Sequence, residues 1–148
     1  WLMVVIGTDF VQRHAFSITP LVVGLSLAFL VANILYINQF PDIRADRVAH
    51  KYTVIVRLGL LRARWGYLAL LLAGYGWLAL MVLGQHLPLS ALLALMPMAF
   101  SLLAFTELWR NAHQPAQLSK AIRLTILAAL LHGVILSLVL LVSHNGAR

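Results

Sequence analysis

The chain has 148 residues, of which 62% are hydrophobic and only 10% are charged, and it contains no cysteine. Soluble domains are nearer half apolar and a quarter charged, so this composition excludes a conventional water-soluble domain, a disordered tail and a disulfide-stapled secreted module. The remaining class is a polytopic membrane protein. Eleven Lys and Arg against four Asp and Glu give a formal charge of +7, which in a soluble protein would suggest a nucleic-acid partner.

The chain opens with an apolar run that a polar stretch interrupts. We interpret residues 1–15 as the end of a spanning helix and an outer loop. Because Trp1 already lies inside the apolar run, we expect a fragment with a truncated first span. Four full spans are predicted after it, at residues 16–37, 65–84, 89–106 and 121–142. About 22 residues at 1.5 Å each give ~33 Å, enough for a hydrocarbon core about 30 Å thick. Pro97 is expected to kink the third full span.

Two polar segments, 38–64 and 107–120, connect these spans and carry most of the charge. When loops are assigned alternately to the two sides, nine of the eleven basic residues fall on one side: Arg44, Arg47, Lys51, Arg57, Arg62, Arg64, Arg110, Lys120 and Arg123. Arg13 and Arg148 fall on the other side. Basic residues collect in cytoplasmic loops, so both polar segments are expected in the cytoplasm. The charge then reflects topology, and the sequence predicts an all-α transmembrane helical bundle with the lipid bilayer, not nucleic acid, as its partner.

The first polar segment contains one pattern with chemical content, NQFPDIRADRVAHKYT from residue 38. Asp42 and Asp46 are four residues apart, so on a helix their carboxylates share a face and repel unless something offsets their charge. Mg²⁺ can do this, since it typically takes one or two carboxylates plus substrate phosphates. Asn38 would add a neutral oxygen, although a helix that bends or restarts at Pro41 would change its alignment with the aspartates.

Basic residues surround this pair of acids, directly after a predicted span: Arg44, Arg47, Lys51 and Arg57. Acids for a metal ion together with bases for phosphate fit a diphosphate site at a membrane interface. Two aspartates four residues apart are a weak pattern by themselves. The alternative is that they are ordinary loop acids paired with Arg47 and His50.

The run from Asn38 to Gly59 resembles the second aspartate-rich motif of the UbiA-type aromatic prenyltransferase superfamily. Within it, the run is similar to that of the 1,4-dihydroxy-2-naphthoate polyprenyltransferases of menaquinone synthesis. The residues that fit the pattern are Asn38, Asp42, Asp46, Lys51, Arg57, Leu58 and Gly59. The stretch from Gly7 to Gln12 also resembles the naphthoate enzymes. One departure is His50, which stands where the family usually has glycine before the lysine.

The resemblance implies a fold of nine spanning helices, of which this chain would supply the end of the fifth and the sixth to ninth. The family uses two aspartate-rich motifs and this chain has one, so we expect the other upstream of Trp1 and expect this chain alone to be inactive. The implied reaction is the Mg²⁺-dependent transfer of a polyprenyl group from polyprenyl diphosphate to an aromatic acceptor, with naphthoate favoured.

The resemblance also implies residue roles. Asp42 and Asp46 would ligate Mg²⁺, with Asn38 supporting the metal site, and Lys51 would contact the diphosphate. Arg47 and Arg57 are further candidates for diphosphate binding. The expected location is the bacterial cytoplasmic (inner) membrane, with the aspartate segment on the cytoplasmic side.

Two rival functions remain open on the sequence. A transporter or channel subunit would use Asn33 and His132 to line a pathway through the membrane. An interhelical hydrogen bond for Asn33 and a packed neutral ring for His132 are the favoured interpretations of these two residues. The other rival is a catalytically inactive membrane scaffold.

Overall fold

The computed structural model describes residues 2–15 and 18–146. Trp1, Arg148 and the first two residues of the span predicted at 16–37 lie outside the described residues. Seven α-helices form within the described part: α1 Leu2–Arg13, α2 Thr19–Asn38, α3 Ile43–Val48, α4 Val54–Leu58, α5 Leu60–Leu83, α6 Met98–Asn111 and α7 Ser119–Gly146. Two 3-10 helices, Leu89–Leu95 and Pro115–Gln117, complete the element order, and the described residues contain no strand.

Four stretches of the described chain are helical, long and apolar enough to cross a membrane: Thr19–Asn38, Leu60–Leu83, Leu89–Asn111 and Ser119–Ser143. The predicted all-α fold with four full spans is therefore confirmed. Helix α5 begins at Leu60 rather than at the predicted residue 65, because the helix runs on past the apolar stretch through Arg62 and Arg64. Long basic side chains permit this, since their charged ends can extend to water from a partly buried stem.

The third of these stretches is broken, and Pro97 is the reason. A 3-10 helix over Leu89–Leu95 gives way at Pro97 to helix α6. Proline has no backbone N–H, so it cannot donate to the Ala94 carbonyl in the 3-10 pattern. The His132 ring of α7 reaches this carbonyl instead, with Nδ1 2.8 Å from the Ala94 oxygen. The expected kink is thus a change of helix type whose freed carbonyl is bonded by another helix.

His132 is fully buried, and both of its ring nitrogens have partners. Because a carbonyl oxygen only accepts hydrogen bonds, Nδ1 carries a hydrogen toward Ala94, and in the neutral ring Nε2 accepts from the Ser26 hydroxyl at 3.0 Å. Asn33, also buried, donates from Nδ2 to the Tyr67 carbonyl at 3.2 Å. Both residues join helices, as the favoured interpretations predicted, rather than face an open pathway.

Helix α2 packs on α5 at a point that fixes the start of the aspartate segment. The Tyr36 hydroxyl donates to the Ala63 carbonyl at 2.7 Å, and the Tyr36 ring lies directly over Gly66. A Cβ at Gly66 would overlap the Tyr36 ring, so glycine is required there by close approach. Tyr36 lies two residues before the end of α2, and this contact therefore sets where the polar segment leaves the bundle.

Candidate active site

Apolar side chains hold the aspartate segment against the end of the bundle. Phe40 and Ile55 are fully buried, and Ile43 is nearly so. All three belong to the cluster of buried residues that also contains Tyr36 and Tyr67. Burial of large apolar side chains of this kind is the main favourable contribution to packing. The polar residues between these anchors are therefore held in place by their apolar neighbours in the chain, and most of them are exposed.

Asp42 and Asp46 lie on one turn of helix. Asp42 directly precedes α3, and the Asp46 N–H donates to the Asp42 carbonyl at 2.8 Å, as in any helical turn. Residues with this relation are neighbours on one face. Asp42 is exposed and Asp46 half-buried. Among the described residues, neither carboxylate has a basic side-chain nitrogen within ion-pairing distance, so the alternative pairing with Arg47 or His50 does not form.

Asn38 lies on a different helix from the two aspartates. Helix α2 ends at Asn38, and α3 begins only at Ile43, so the chain restarts after Pro41. The Asn38 side-chain Nδ2 donates back to the Ile34 carbonyl of α2 at 2.9 Å. The four-residue spacing of Asn38 and Asp42 is therefore not a helical i,i+4 relation, although Asn38 remains exposed at the same end of the bundle.

The chain reverses after α3 in a way that ties Lys51 to Asp46. The Lys51 N–H donates to the Asp46 carbonyl at 2.8 Å, and the His50 N–H donates to the Arg47 carbonyl at 3.2 Å. This pair of bonds is a Schellman motif, and His50 occupies its left-handed position with a φ of 55°. Glycine adopts that conformation without strain. The departure noted at position 50 thus falls where the backbone itself favours glycine.

Arg47 faces away from the aspartates. On a helix, residues 46 and 47 are about 100° apart, so Arg47 shares its face with Ile43 instead. Together with Ile43, it lines a cavity of about 370 Å³ at the start of α5, whose other polar side chains are Arg62 and His113. The structure therefore separates Arg47 from the two carboxylates and places it beside Arg62.

Arg57 lies on α4 and supports the loop before it. Its Nε donates to the Tyr52 carbonyl at 3.1 Å, and the side chain remains exposed. Immediately after α4, Gly59 has a φ of 74°, where only glycine is unstrained, and this residue turns the chain into α5. Arg57 and Gly59 thus shape the return of the segment to the bundle.

The donor set of this end of the bundle fits part of a magnesium site. Among the described residues, no three or more His, Cys, Asp and Glu side chains are grouped to hold a metal ion. Two neighbouring carboxylates are present, and Mg²⁺ commonly uses one or two carboxylates, several waters and the phosphates of its substrate. Asp42 and Asp46 would hold such an ion, and Asn38 has an amide oxygen at the end of α2, four residues before Asp42.

Three features of the site were missed by reasoning on the sequence. These are the apolar anchors of the segment, the cavity that Arg47 shares with Arg62 and His113, and the Schellman turn at His50. The apolar anchors and the cavity at Arg47 had a signal in the sequence. Ile43 and Arg47 are four residues apart, as Asp42 and Asp46 are, and therefore share one face of a helix. A buried Ile43 implies that Arg47 lies near whatever Ile43 packs on.

Known proteins resemble this chain in two ways. The model of the UbiA prenyltransferase family matches residues 1–127. A curated protein of Mycobacterium leprae (strain TN), 1,4-dihydroxy-2-naphthoate octaprenyltransferase, is 38% identical over 69 residues, which cover 47% of this chain and 24% of that protein. The match thus spans about a quarter of the relative's length. No solved structure matches the chain. The family model covers well over half of the chain, and the chain therefore belongs to the UbiA prenyltransferase family.

Proposed function

We propose that this chain contributes one half of the active site of a membrane-bound aromatic prenyltransferase. The reaction is Mg²⁺-dependent transfer of a polyprenyl group from polyprenyl diphosphate to an aromatic acceptor, 1,4-dihydroxy-2-naphthoate, in menaquinone biosynthesis. Family membership supports prenyl transfer, and the name of the mycobacterial relative supports the naphthoate acceptor. The four apolar helices and the family make the chain part of an integral membrane protein.

The observation that carries this proposal is the open turn of Asp42 and Asp46. Both carboxylates are on one helical face, and the surrounding cations leave them unpaired within the described chain. Two anionic groups kept together without a partner cost free energy, because like charges at this spacing repel. Such an arrangement is explained by a cation that binds from outside the chain.

The bound ion would neutralise charge on the diphosphate as it leaves. In the reaction the allylic carbon–oxygen bond breaks, its electron pair departs with the diphosphate, and the acceptor ring forms a new carbon–carbon bond. The ring then loses a proton or carbon dioxide, whose bonding electrons return to the ring and restore its aromaticity. Asp42 and Asp46 would hold the ion, and Lys51, whose backbone N–H bonds to the Asp46 carbonyl, would donate to a diphosphate oxygen. Arg57 reaches the same anion with the nitrogens that Tyr52 does not use. The apolar helices keep water away from the reacting carbon.

The segment of Asp42 and Asp46 faces the cytoplasm of a bacterial inner membrane, since most basic residues lie at that end. A second aspartate-rich motif, expected upstream of Trp1, would supply the other metal ligands. The chain alone is therefore proposed to be inactive, and its activity is tested in the intact gene product.

The test is neutralisation of each carboxylate in the intact gene product. Asp42→Asn and Asp46→Asn should each abolish transfer of a labelled prenyl group to 1,4-dihydroxy-2-naphthoate in isolated membranes. Protein level and helix content should stay unchanged, because neither side chain packs in the core. Glu107→Gln is the matched control, since it removes an acid that bonds to Lys120 at 2.6 Å and should retain transfer. Turnover at the unmodified rate in both aspartate variants would overturn the proposal.

A further inference from the structure

A groove opens between α5 and α6 at the end of the bundle that carries the bases. Its volume is about 520 Å³, and its lining residues are Trp65, Leu68, Phe105, Thr106, Trp109 and Arg110. Trp65 is 56% exposed and Trp109 38% exposed, so the groove faces outward from the described bundle. Exposed Leu72, Leu102 and Leu103 continue the apolar surface along the same two helices. An apolar groove of this size on a spanning helix pair can take a hydrocarbon chain.

The walls of the groove are held in place before anything binds. The rings of Trp65 and Trp109 meet edge to face, with centroids 5.2 Å apart, and Phe105 lies 5.6 Å from Trp109. The Arg64 guanidinium carbon lies 3.5 Å above the Trp109 ring, and Arg64 also donates to the Trp109 carbonyl at 3.2 Å. This cation–π contact and hydrogen bond fix Trp109, so a ligand need not order it.

The mouth of the groove is cationic. Arg110 lines it and is exposed. The nearest acid in sequence, Glu107, makes its hydrogen bonds to Lys120 at 2.6 Å and to Asn111 at 3.3 Å, and it attracts Arg110 through its charge without forming an ion pair with it. Within the described chain, the Arg64 Nε is buried beside this mouth and has no hydrogen-bond partner. Because Arg64 is engaged by Trp109, the guanidinium group that remains available to an anion at the end of this groove is that of Arg110.

We propose that this groove binds an anionic phospholipid, with one acyl chain along Leu68 and Phe105 and the phosphate on Arg110. Tryptophan and arginine together at this depth match the boundary between acyl chain and headgroup. The charge complements an anionic lipid and gives no preference for a zwitterionic one. A second protein helix would fill the apolar part but would leave Arg110 without an anionic partner. This lipid site is separate from Asp42 and Asp46 and does not depend on the proposed transferase activity.

The two tryptophans supply the probe for a test on the full chain. In a background of the intact gene product in which every other tryptophan, including Trp1 and Trp77, is replaced by phenylalanine, the remaining tryptophans are Trp65 and Trp109, both in the groove. The protein is reconstituted into phosphatidylcholine vesicles that contain a small fraction of either brominated phosphatidylglycerol or brominated phosphatidylcholine. Brominated chains quench tryptophan on contact. We expect about fivefold stronger apparent binding of the anionic lipid, the effect of one arginine near an anionic headgroup.

Arg110→Gln should remove this preference and leave quenching by phosphatidylcholine unchanged. Arg123→Gln is the matched control, because Arg123 is an exposed arginine on α7 that does not line the groove. Thr106→Phe, which fills part of the groove without adding a tryptophan, should reduce quenching by both lipids. Equal quenching by the two lipids would overturn the proposal, as would equal loss of preference in the two arginine variants. Absence of quenching by either lipid, with tryptophans protected by a second copy in cross-linking, would also overturn it.

Discussion

Polar side chains have opposite surroundings in the middle of the bundle and at the end that carries Asp42 and Asp46. In the middle, Asn33 and His132 are buried and bonded across helices, and the Tyr67 and Thr125 hydroxyls lie 2.8 Å apart. At the end, the side chains of Asp42 and Lys51 are exposed and held by the backbone alone. The contrast separates polar groups that hold the helices together from polar groups that are available to a ligand.

The physical reason for this difference is the surroundings. Inside a hydrocarbon layer an unbonded polar group is costly, so a polar residue persists there when another helix bonds it. At the end of the bundle water satisfies polar groups, and their positions can be chosen for a ligand. The Pro97 region gives an example, because the carbonyl freed at Ala94 is bonded by His132. The experiments below each change either the middle of the bundle or the end that carries Asp42 and Asp46, and measure the effect on stability and on prenyl transfer.

The largest effect is expected from removing divalent cations. Chelation with EDTA should lower prenyl transfer by the intact gene product by about a thousandfold or more, since the ion and the oxygens it binds act as one unit. The unfolding midpoint of this bundle should fall only slightly, because loss of the ion restores the repulsion between Asp42 and Asp46 but leaves the packing of the helices unchanged. Transfer assays and detergent unfolding before and after adding back Mg²⁺ measure both quantities. Full activity in the chelator would rule out the metal-dependent proposal.

The next largest effect is a loss of stability on substitution of His132. His132→Ala should lower the free energy of unfolding by about 3 kcal/mol, because it leaves a cavity and removes the bonds to Ser26 and Ala94. His50→Ala is the matched change at the exposed end and should leave unfolding within about 0.5 kcal/mol of the parent. Reversible unfolding in mixed micelles compares the two. Similar losses for both histidines would contradict the distinction between the regions.

A smaller loss is expected where α2 crosses α5. Gly66→Ala should cost about 1–3 kcal/mol, because the added methyl group overlaps the Tyr36 ring and must displace it. Gly76 lies on the same helix, and a Cβ there would meet no atom within 4 Å, so Gly76→Ala should be neutral or slightly stabilising. The two substitutions differ in whether the added methyl group meets another side chain. Because Tyr36 precedes the aspartate segment, Gly66→Ala should also reduce transfer activity, and an unchanged activity at full folding would show that the two regions are uncoupled.

Structural features that depend on neighbouring residues in the chain could be predicted from the sequence. The four spans follow from runs of apolar residues, and the break at Pro97 follows from its missing N–H. The helical relation of Asp42 and Asp46 follows from their spacing, since α3 is held by local bonds. These properties do not require knowledge of which helices touch.

Features that depend on contacts between distant segments could not be predicted. The overlap of Tyr36 with Gly66 joins residues 30 positions apart in sequence. Likewise, His113 comes beside Arg47 because the loop after α6 packs near α3, which no local pattern shows. The restart of the helix between Asn38 and Ile43 could be predicted in part. Pro41 signalled a break, but where α3 resumes depends on the burial of Phe40 and Ile43.

The smallest effect is expected at His50, where the substitution should raise stability rather than lower stability or activity. His50→Gly should stabilise the turn after α3 by about 1 kcal/mol, because glycine takes a φ near 55° without the steric cost that a Cβ imposes. The Lys51 amide, which donates to Asp46, should then exchange with solvent about fivefold more slowly, and His50→Ala should show no such protection. A turn that is firmer at Lys51 should raise transfer slightly if Lys51 contacts the diphosphate. Faster exchange in His50→Gly would mean that the histidine side chain itself supports the turn, and the strain assigned to position 50 would be wrong.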